Sequence, residues 1–441
     1  TPFTGELMLG HLRYGTHGAN SVKNVHPFIR KSNWIHRTLV IAGNFNLTNV
    51  DELFQELVEL GQYPMEQTDT VTVLEKIGHF LDDEVQRLYT WHKPDGLSDL
   101  EVNVLIFDNL DVQRLLQRAS KRFDGGYAMA GMIGHGDAFV MRDPNGIRPA
   151  FYYADDEVVV ITSERAPIQT AFDVHFSKIQ EIKPGHALIV KRNGTLSELP
   201  FTEPGERKSC SFERIYFSRG NDRDIYTERK QLGDQLTSAV LEAVDHDLER
   251  TVFSYVPNTA ESAFFGLVKG IENRLNEIKL QKIKELGENP STEALQRILA
   301  ITPRVEKLVQ KDAKLRTFIA DDDSRGTMVT HGYDVTYGLV RNEEDTLVLL
   351  DDSIVRGTTL KNSIIRIVAR LRPKKIVVVS SAPQIRYPDC YGIDMSKMKD
   401  FVAFRALVEL LKETKRAHLL EETYQRCKAP GCCSAMSAAA S

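Results

Sequence analysis

The sequence has few cysteines, no long apolar run and no excess of basic charge. Five cysteines in 441 residues do not make a disulfide scaffold, which favours a reducing cytoplasm. No apolar run reaches the ~18 residues of a membrane-spanning helix. The 56 basic and 61 acidic residues give a net charge of -5, which argues against whole-protein electrostatic binding of nucleic acid.

Several common site motifs are also missing. The sequence contains neither the G-x-G-x-x-G dinucleotide fingerprint nor a GK[ST] phosphate loop. Its twelve histidines show no H-E-x-x-H spacing, and its five cysteines include no C-x-x-C pair. The sequence therefore favours free thiols over an iron–sulfur or zinc site.

Both ends of the chain are unusual. The sequence starts at Thr1, without Met and without a signal-peptide pattern. Cys427, Cys432 and Cys433 fall in a small-residue tail at the other end. We expect neither end to be a natural terminus, and we expect residues 426–441 to be a disordered tail.

The apolar pattern predicts a first domain over residues 1–205. It consists of short strand-like runs with a helix beginning near Val50, for which Thr48 is the candidate N-cap. This pattern predicts an antiparallel α+β domain. The strand-like runs cover residues 7–9, 39–42, 125–133, 138–141, 158–161 and 187–190.

A polar stretch around Pro204 and Gly205 predicts a linker to a second domain over residues 206–425. Here a strand at 346–350, helical spacing at 364–371 and a strand at 375–379 form a βαβ unit, which predicts a parallel sheet. The charged residues 267–314 predict a solvated helical insertion, with a helix stop at Gly287.

The strongest local signal is at residues 351–359, where the strand 346–350 runs into two carboxylates. Asp351 and Asp352 are followed by Gly357, Thr358 and Thr359 at the start of a helix. Ligands of open α/β sheets lie beyond the carboxyl ends of strands, and a helix N-terminus suits phosphate. Two carboxylates suit a ligand that carries hydroxyls or Mg²⁺ beside its phosphate. The loop therefore predicts binding of a phosphorylated sugar.

This loop resembles the diphosphate-sugar loop of type I phosphoribosyltransferases. Its continuation Ser-Ile-Val-Arg-Gly-Thr-Thr resembles the glutamine phosphoribosylpyrophosphate amidotransferase family in particular. Further strings occur in the order the family has them. Residues 212–219 resemble the first strand of the domain, 256–260 its pyrophosphate-side loop, 315–319 the start of its mobile loop, and 391–395 a segment after the sheet.

The first half carries independent signals. Arg13 follows a predicted strand and suits a carboxylate, Asn44 can donate its amide to a developing oxyanion, and Asp69 suits an α-ammonium group. Together with the string at 142–149 (Arg-Asp-Pro-Asn-Gly-Ile-Arg-Pro), they resemble the N-terminal-nucleophile glutaminase domain of the same family. By that resemblance Arg13 and Asp69 hold glutamine, and Asn44 lines the oxyanion hole.

The sequence departs from the family at four points, one of which is the greater length of the insertion at 267–314. The family's nucleophile is an N-terminal cysteine, but the first cysteine here is Cys210, and Thr1 lies too close to Arg13 to take that role. The family's Asn-Gly step is Asn44-Phe45. Residues 321–323 are three aspartates in a loop that must meet pyrophosphate, although Arg325 and His331 could help.

The resemblance implies a truncated αββα glutaminase domain followed by an α/β phosphoribosyltransferase domain with a parallel sheet. It implies Mg²⁺, nucleotide feedback inhibitors and a homo-oligomer, while Cys210 and Cys390 lie near positions where some members ligate an iron–sulfur cluster. Thr259, Asp351 and Asp352 would bind metal. The residues implied to bind phosphoribosyl pyrophosphate are Asp351, Asp352, Ser353, Arg356, Gly357, Thr358 and Thr359.

The implied activity is the formation of phosphoribosylamine from phosphoribosyl pyrophosphate and glutamine or ammonia, the first step of purine synthesis. Three alternatives stay open. The chain could be an inactive or ammonia-only fragment of such an enzyme, or a non-catalytic sugar-phosphate sensor. It could also be a glucosamine-synthase-like amidotransferase, against which residues 351–359 argue.

Overall fold

The computed structural model describes residues 4–12, 25–64, 66–93, 96–311, 333–389 and 397–428. The chain divides into two compact units. The first holds Thr1–Asp222 with Asp389–Ser396, and the second holds Arg223–Pro388 with Lys397–Ser441. The division at residue 205 and the disordered tail at 426–441 stay predictions.

The first unit is α+β with antiparallel sheets, as the sequence predicts. Within the described residues, one sheet has the order β1-β2-β3-β4-β8-β9 and the other the order β6-β5-β7, with the strands β1 (Phe28–Arg30), β2 (Leu39–Leu47), β3 (Gly125–Ile133), β4 (Ala138–Arg142), β5 (Phe151–Ala154), β6 (Val159–Thr162), β7 (Gln180–Glu181), β8 (His186–Val190) and β9 (Leu196–Pro200). Its helices are α1 (Val50–Glu59), α2 (Asp69–His92), α3 (Asp99–Asn109), α4 (Val112–Ala119) and α5 (Arg165–Phe172), with short 3₁₀ turns at Ile35–Arg37 and Phe176–Lys178.

The core of the first unit lies between the larger sheet and helix α2. Leu39 and Ile41 of β2 are fully buried, and Val73, Ile77 and Leu81 of α2 pack in the same cluster. These positions follow the two-residue period of a strand and the 3.6-residue period of a helix. Each such side chain contributes about 2 kcal/mol on burial.

The second unit contains the predicted parallel sheet, with the order β11-β10-β14-β15 in the described part of the chain. The strands are β10 (Thr251–Tyr255), β11 (Arg304–Val305), β12 (Val309–Lys311), β13 (Tyr333–Val335), β14 (Thr346–Asp351) and β15 (Lys375–Ser380), of which β12 and β13 pair antiparallel. The helices are α6 (Arg223–Gln235), α7 (Thr237–Ala243), α8 (Glu261–Glu285), α9 (Thr292–Leu299), α10 (Ile365–Val368), α11 (Val402–Glu413) and α12 (His418–Lys428), with π turns at Glu213–Phe217 (in the first unit) and Leu360–Ile364 and 3₁₀ turns at Ala369–Leu371 and Met398–Asp400.

The central strand β14 is buried on both faces. Val348 and Leu350 pack with α8 residues such as Leu267, whereas Leu347 and Leu349 pack with the helical segment around Ile367. A strand covered by helices on both faces is apolar at every position. For this reason the sequence shows β14 as a continuous apolar run. None of the helices in the described ranges is long and apolar enough to cross a membrane.

Two predictions about the first unit are wrong. Residues 7–9 form no strand, and Met8 is 67% exposed, so the apolar run lacks the buried face that a strand needs. The N-cap of α1 is Asn49 rather than Thr48. The hydroxyl of Thr48 instead donates to the carboxylate of Asp124, which ties the start of the helix to the loop before β3.

The predicted strand at 212–219 is also wrong, because the backbone makes a π-helical turn at Glu213–Phe217. The N–H of Ser218 donates to the carbonyl of Glu213 at 2.7 Å. The ring of Phe212 stacks on Tyr216 at 5.5 Å and meets Phe217 edge to face at 5.4 Å. The aromatic residues that suggest a strand thus pack against each other across one turn.

The segment predicted as a linker makes backbone hydrogen bonds, and the segment predicted as a helical insertion contains two helices. The N–H of Gly205 donates to Pro144, and that of Lys208 donates to Asn145, so this segment lies against the first unit. In the second unit, α8 begins at Glu261, and helix gives way to strands after Leu299. Gly287, at φ +84°, follows α8, as the sequence predicts.

Candidate active site

The carboxylates Asp351 and Asp352 lie where β14 ends at the carboxyl edge of the parallel sheet. The N–H of Ser381 donates to the carbonyl of Asp351, and that of Ala382 donates to the carbonyl of Asp352, both at 2.9 Å. The residues after β15 therefore fix the backbone of both aspartates. The hydroxyl of Ser353 donates to Oδ1 of Asp352 at 2.8 Å.

The carboxyl groups of Asp351 and Asp352 are both largely shielded from water. Burial, and secondly the charge of Asp352, raise the pKa of Asp351 to about 7. Burial also raises the pKa of Asp352, and Ser353, Arg229 and Thr259 oppose that rise. Two adjacent carboxyls that resist ionisation together are suited to a ligand that brings positive charge.

The loop after the aspartates turns into a helix that begins at Thr358. Gly357 has φ +69°, a conformation that glycine adopts without strain and other residues rarely adopt. The N–H of Lys361 donates to the carbonyl of Gly357 at 2.9 Å, which closes the first turn. The free N–H groups at the start of a helix provide a place for a phosphate group.

Thr259 lies in the loop after β10, the parallel neighbour of β14. Tyr255 pairs with Leu350, so both strands end at the same edge, and Val256 donates to the carbonyl of Leu350 at 2.8 Å. This register brings the hydroxyl of Thr259 close enough to the carboxyl of Asp352 to lower its pKa. The structure therefore brings together the predicted residues of two separate loops.

Two residues near the carboxylates escape the sequence analysis. Arg229 of α6 is only 4% exposed, and its charge opposes the raised pKa of Asp352. Tyr333 of β13 has its pKa raised by burial and by both carboxylates. A signal for Arg229 exists, since the buried residues of α6 are Ile225, Arg229 and Gly233, at a spacing of four.

Magnesium fits this carboxylate pair. Mg²⁺ takes oxygen ligands and is commonly bound by one or two carboxylates together with substrate phosphates. Asp351, Asp352 and the hydroxyl of Thr259 supply such oxygens without a larger protein cage. Across the residues that the structure describes, no group of three or more His, Cys, Asp or Glu side chains could hold a metal ion.

In the first unit, Asn44 of β2 has its amide held by a buried ion pair. Its Nδ2 donates to Oε1 of Glu213 at 3.1 Å, and the same oxygen accepts from Nη1 of Arg148 at 2.7 Å. Arg148 is 2% and Glu213 is 8% exposed. Since Asn44 has two amide hydrogens, this contact orients the amide while one hydrogen stays available.

The string at 142–149 builds the loop that presents Arg148. The carboxylate of Asp143, which is fully buried, accepts backbone hydrogen bonds from Tyr127, Asn145, Ile147 and Arg148. The guanidinium of Arg142 donates to carbonyl oxygens within this loop and to Ile182. This string is therefore a scaffold that reaches Asn44 through Arg148 and Glu213.

Asp69 is the first residue of α2, and Thr68 is its N-cap. Oδ1 of Asp69 accepts from the N–H of Thr70 at 2.7 Å. The hydroxyl of Thr70 contacts His26, which in turn contacts the residue before Asn44. Asp69 and Asn44 thus lie at the two ends of one hydrogen-bonded chain.

Several predicted site residues fall outside the described part of the chain. Arg13 is one of them, together with Arg325, His331 and the segments 315–319, 321–323 and 391–395. Cys390, Cys432 and Cys433 are others. Among the cysteines that the structure describes, Cys210 and Cys427 are free thiols.

The known proteins that this chain resembles include several with the same name. The chain is 27% identical over 419 residues to an amidophosphoribosyltransferase of Pseudomonas aeruginosa, covering 92% of this chain and 72% of the relative. It is 28% identical to that of Bacillus subtilis, covering 93% and 72%. The solved glutamine phosphoribosylpyrophosphate amidotransferase of B. subtilis, complexed with ADP and GMP, matches with a TM-score of 0.62 at 25% identity, over 91% and 73% of the two chains. No family model matches the sequence.

The fold is similar to that of the class to which this solved enzyme belongs, with an antiparallel α+β unit before an α/β unit that has a parallel sheet. Within that class, the chain is a homologue of the amidophosphoribosyltransferases. It spans about 72% of the length of these relatives.

Proposed function

We propose that the second unit forms phosphoribosylamine from phosphoribosyl pyrophosphate, with ammonia that the first unit obtains from glutamine. This is the first step of purine synthesis. The observation that carries the proposal is the carboxylate pair Asp351–Asp352, placed between a helix N-terminus at Thr358 and the loop of Thr259. The relatives' names agree with it.

In this proposal the sugar phosphate lies across the carboxyl edge of the sheet. Asp351 and Asp352 bind the ribose hydroxyls and the magnesium shell, and Thr259 lies on the pyrophosphate side. The loop of Ser353, Arg356, Gly357, Thr358 and Thr359 holds the 5′-phosphate through backbone N–H groups, hydroxyls and one guanidinium.

The reaction is a displacement at C1 of the ribose. The nitrogen lone pair of ammonia forms the new C–N bond while the C1–O bond to pyrophosphate breaks, and the amine then loses a proton. Magnesium, when bound, neutralises charge on the departing pyrophosphate. The protein residues orient the sugar and hold its phosphate, so that both bonds lie in line.

The first unit is proposed to bind glutamine. Arg13 would bind its α-carboxylate and Asp69 its α-ammonium group, while Asn44 would donate to the oxyanion that forms at the side-chain amide. We assign no residue of this sequence as the nucleophile that attacks the glutamine amide. We also propose regulation by nucleotides, because the related B. subtilis structure is complexed with ADP and GMP. A cytoplasmic homo-oligomer is a further part of the proposal.

The test is pyrophosphate release from phosphoribosyl pyrophosphate with Mg²⁺ and ammonia. We expect turnover by the 441-residue polypeptide and a loss of at least about 100-fold in Asp352→Asn. Asp245→Asn is the matched control, since Asp245 is exposed and has φ +53°, which asparagine tolerates. Binding without turnover would favour the sensor alternative, and equal activity of Asp352→Asn would overturn the site.

A second arm replaces ammonia with glutamine. The family's N-terminal cysteine has no counterpart before Cys210 in the printed sequence. We therefore expect the 441-residue polypeptide to use ammonia and not glutamine. A glutamine-supported rate equal to the ammonia rate would contradict this expectation and would place the nucleophile among the printed residues.

A further inference from the structure

We infer that His26 is a positioning residue for the glutamine site, joining the strand of Asn44 to the carboxylate of Asp69 by a directed chain of hydrogen bonds. The inference rests on the proposed function of the first unit. It assigns a role to a histidine that has no recognisable motif spacing in the sequence.

The chain begins where the edge strand β1 stops covering β2. The last paired residues are Phe28 and Ile41, and Gly43 lies two positions further along β2. There the N–H of Gly43 donates to Nδ1 of His26 at 3.3 Å. The carbonyl of Gly43 lies 3.1 Å from Nε2 of His11. In the described part of the chain, two imidazoles thus bind the backbone of Gly43 next to Asn44.

These contacts fix the tautomers of both rings. A backbone N–H can only donate, so Nδ1 of His26 is unprotonated and its proton lies on Nε2. A backbone carbonyl can only accept, so Nε2 of His11 carries a proton. The sequence of donors therefore runs from Gly43 to His26 and onward from Nε2 of His26.

The next members of the chain belong to the start of α2. Nε2 of His26 lies 3.3 Å from Oγ1 of Thr70, to which it donates. That hydroxyl donates in turn to Oδ1 of Asp69 at 3.2 Å. Oδ1 also accepts from the N–H of Thr70, so its direction is fixed twice.

This arrangement leaves the other oxygen of Asp69 for a ligand. Among the residues that the structure describes, Oδ2 of Asp69 makes neither a hydrogen bond nor an ion pair. A carboxylate with one oxygen anchored and one available is suited to bind an α-ammonium group. His26 thereby sets the distance between the two groups that would bind opposite ends of glutamine.

The ring of His26 is confined on three sides. It stacks on His11 with centroids 4.5 Å apart, and it lies 5.3 Å from Phe28 and 6.0 Å from Phe45. Among the residues that the structure describes, His11 faces it directly and Asp69 faces it through Thr70. This packing leaves the ring little freedom to turn, so each hydrogen bond from Gly43 to Asp69 keeps the same donor and acceptor.

The experiment compares His26→Gln with His26→Leu in the full chain. A glutamine side chain carries an acceptor and a donor at a separation similar to that of the two ring nitrogens, whereas leucine fills the space without either. We expect His26→Leu to weaken L-glutamine binding about tenfold in titration calorimetry and His26→Gln to stay within about threefold. Binding of phosphoribosyl pyrophosphate should stay unchanged in both.

His79→Leu is the matched control, because His79 lies on α2, the helix of Asp69 and Thr70, and bonds to Gln62 instead. A purely structural role for His26 predicts equal losses of thermal stability but no difference in glutamine affinity between the leucine and glutamine variants. Glutamine binding by His26→Leu equal to that of the wild type would overturn the inference.

A second measurement is independent of glutamine. In the ¹⁵N-histidine-labelled chain, Nδ1 of His26 should resonate as an unprotonated ring nitrogen, and Thr70→Val should shift its Nε2 signal. A protonated Nδ1 in neutral His26 would overturn the chain of hydrogen bonds. A wild-type protein that binds no glutamine but shows this tautomer would overturn the proposed glutamine site and not the hydrogen-bonded chain.

Discussion

The backbone N–H of Asp352 donates a 2.9 Å hydrogen bond to Oδ1 of Asp351. The two carboxyl groups therefore stay next to each other at the end of β14, and neither can turn away to reduce the repulsion between two negative charges. Ionising both carboxyl groups is therefore costly in the free protein, and a positively charged ligand lowers that cost. The first prediction follows from this cost.

Asp351→Asn should make the ligand-free protein more stable at alkaline pH. The pKa of Asp351 is about 7 in the folded chain and near 3.9 unfolded, so the neutral carboxyl stabilises the fold at low pH and that stabilisation is lost as pH rises through 7. We expect a gain of about 1–2 kcal/mol in the variant at pH 8 and none below about pH 4. Urea unfolding at both pH values measures this.

The same carboxyl should make ligand binding pH-dependent. Magnesium and the sugar diphosphate require the ionised form, so the wild-type affinity for phosphoribosyl pyrophosphate with Mg²⁺ should fall as the pH is lowered from 8 to 6. Asp351→Asn should bind weakly at every pH. A variant with both wild-type affinity and the wild-type pH profile would remove Asp351 from the site.

Gly357→Ala should impair phosphate binding beyond its effect on stability. The positive φ of Gly357 costs a residue with a Cβ about 1 kcal/mol, and the loop can relieve it only by moving. Gly194→Ala is the control, because Gly194 has φ +84° and no atom lies near its added Cβ. Both variants should lose similar stability on heating, but only Gly357→Ala should lose affinity for phosphoribosyl pyrophosphate.

Asp143→Asn should destabilise the first unit strongly. The buried carboxylate accepts four backbone hydrogen bonds, and an amide presents a donor to some of those N–H groups. We expect a loss of about 3 kcal/mol in chemical unfolding. Asp155→Asn is the control, since Asp155 accepts comparable backbone bonds on the exposed surface and should lose less than about 1 kcal/mol.

Glu213→Ala and Glu213→Gln should distinguish two effects of Glu213 on Asn44. One is the hydrogen bond that orients the Asn44 amide, and the other is the negative charge of the carboxylate. The same oxygen of Glu213 accepts from Asn44 and Arg148, and a glutamine side chain keeps that acceptor. Glu213→Ala should cost about 3 kcal/mol, because it removes the carboxylate facing buried Arg148. The side-chain amide signal of Asn44 in ¹⁵N spectra should broaden or shift in Glu213→Ala and stay near its position in Glu213→Gln.

The sequence predicts the parts of the fold that depend on local pattern. The strands β2, β3, β14 and β15 are visible as apolar runs, and all are confirmed, although β2 continues five residues past its predicted end. The position of Asp351 follows from the same reasoning, because a buried strand that ends in a carboxylate points it to the sheet edge. Patterns of this kind need no knowledge of distant residues.

The unpredicted parts depend on contacts between distant residues. Glu213 is 169 positions from Asn44, and nothing in its surroundings predicts a π turn that presents its carboxylate to Arg148. His11 and His26 are 15 positions apart and converge on one glycine, which no spacing rule describes. Such contacts exist only in the folded chain.

Helix α8 has a consequence for measuring the stability of the second unit. Its buried residues end at Leu275, while the helix continues to Glu285, about 15 Å further. Those last turns bury less apolar surface, since Ile278 and Ile283 are only half-buried, so their amide hydrogens should exchange with deuterium before those around Phe264. One continuous helix therefore carries both a probe of local fraying and a probe of global unfolding, and the ratio of their exchange rates reports core stability without a denaturant.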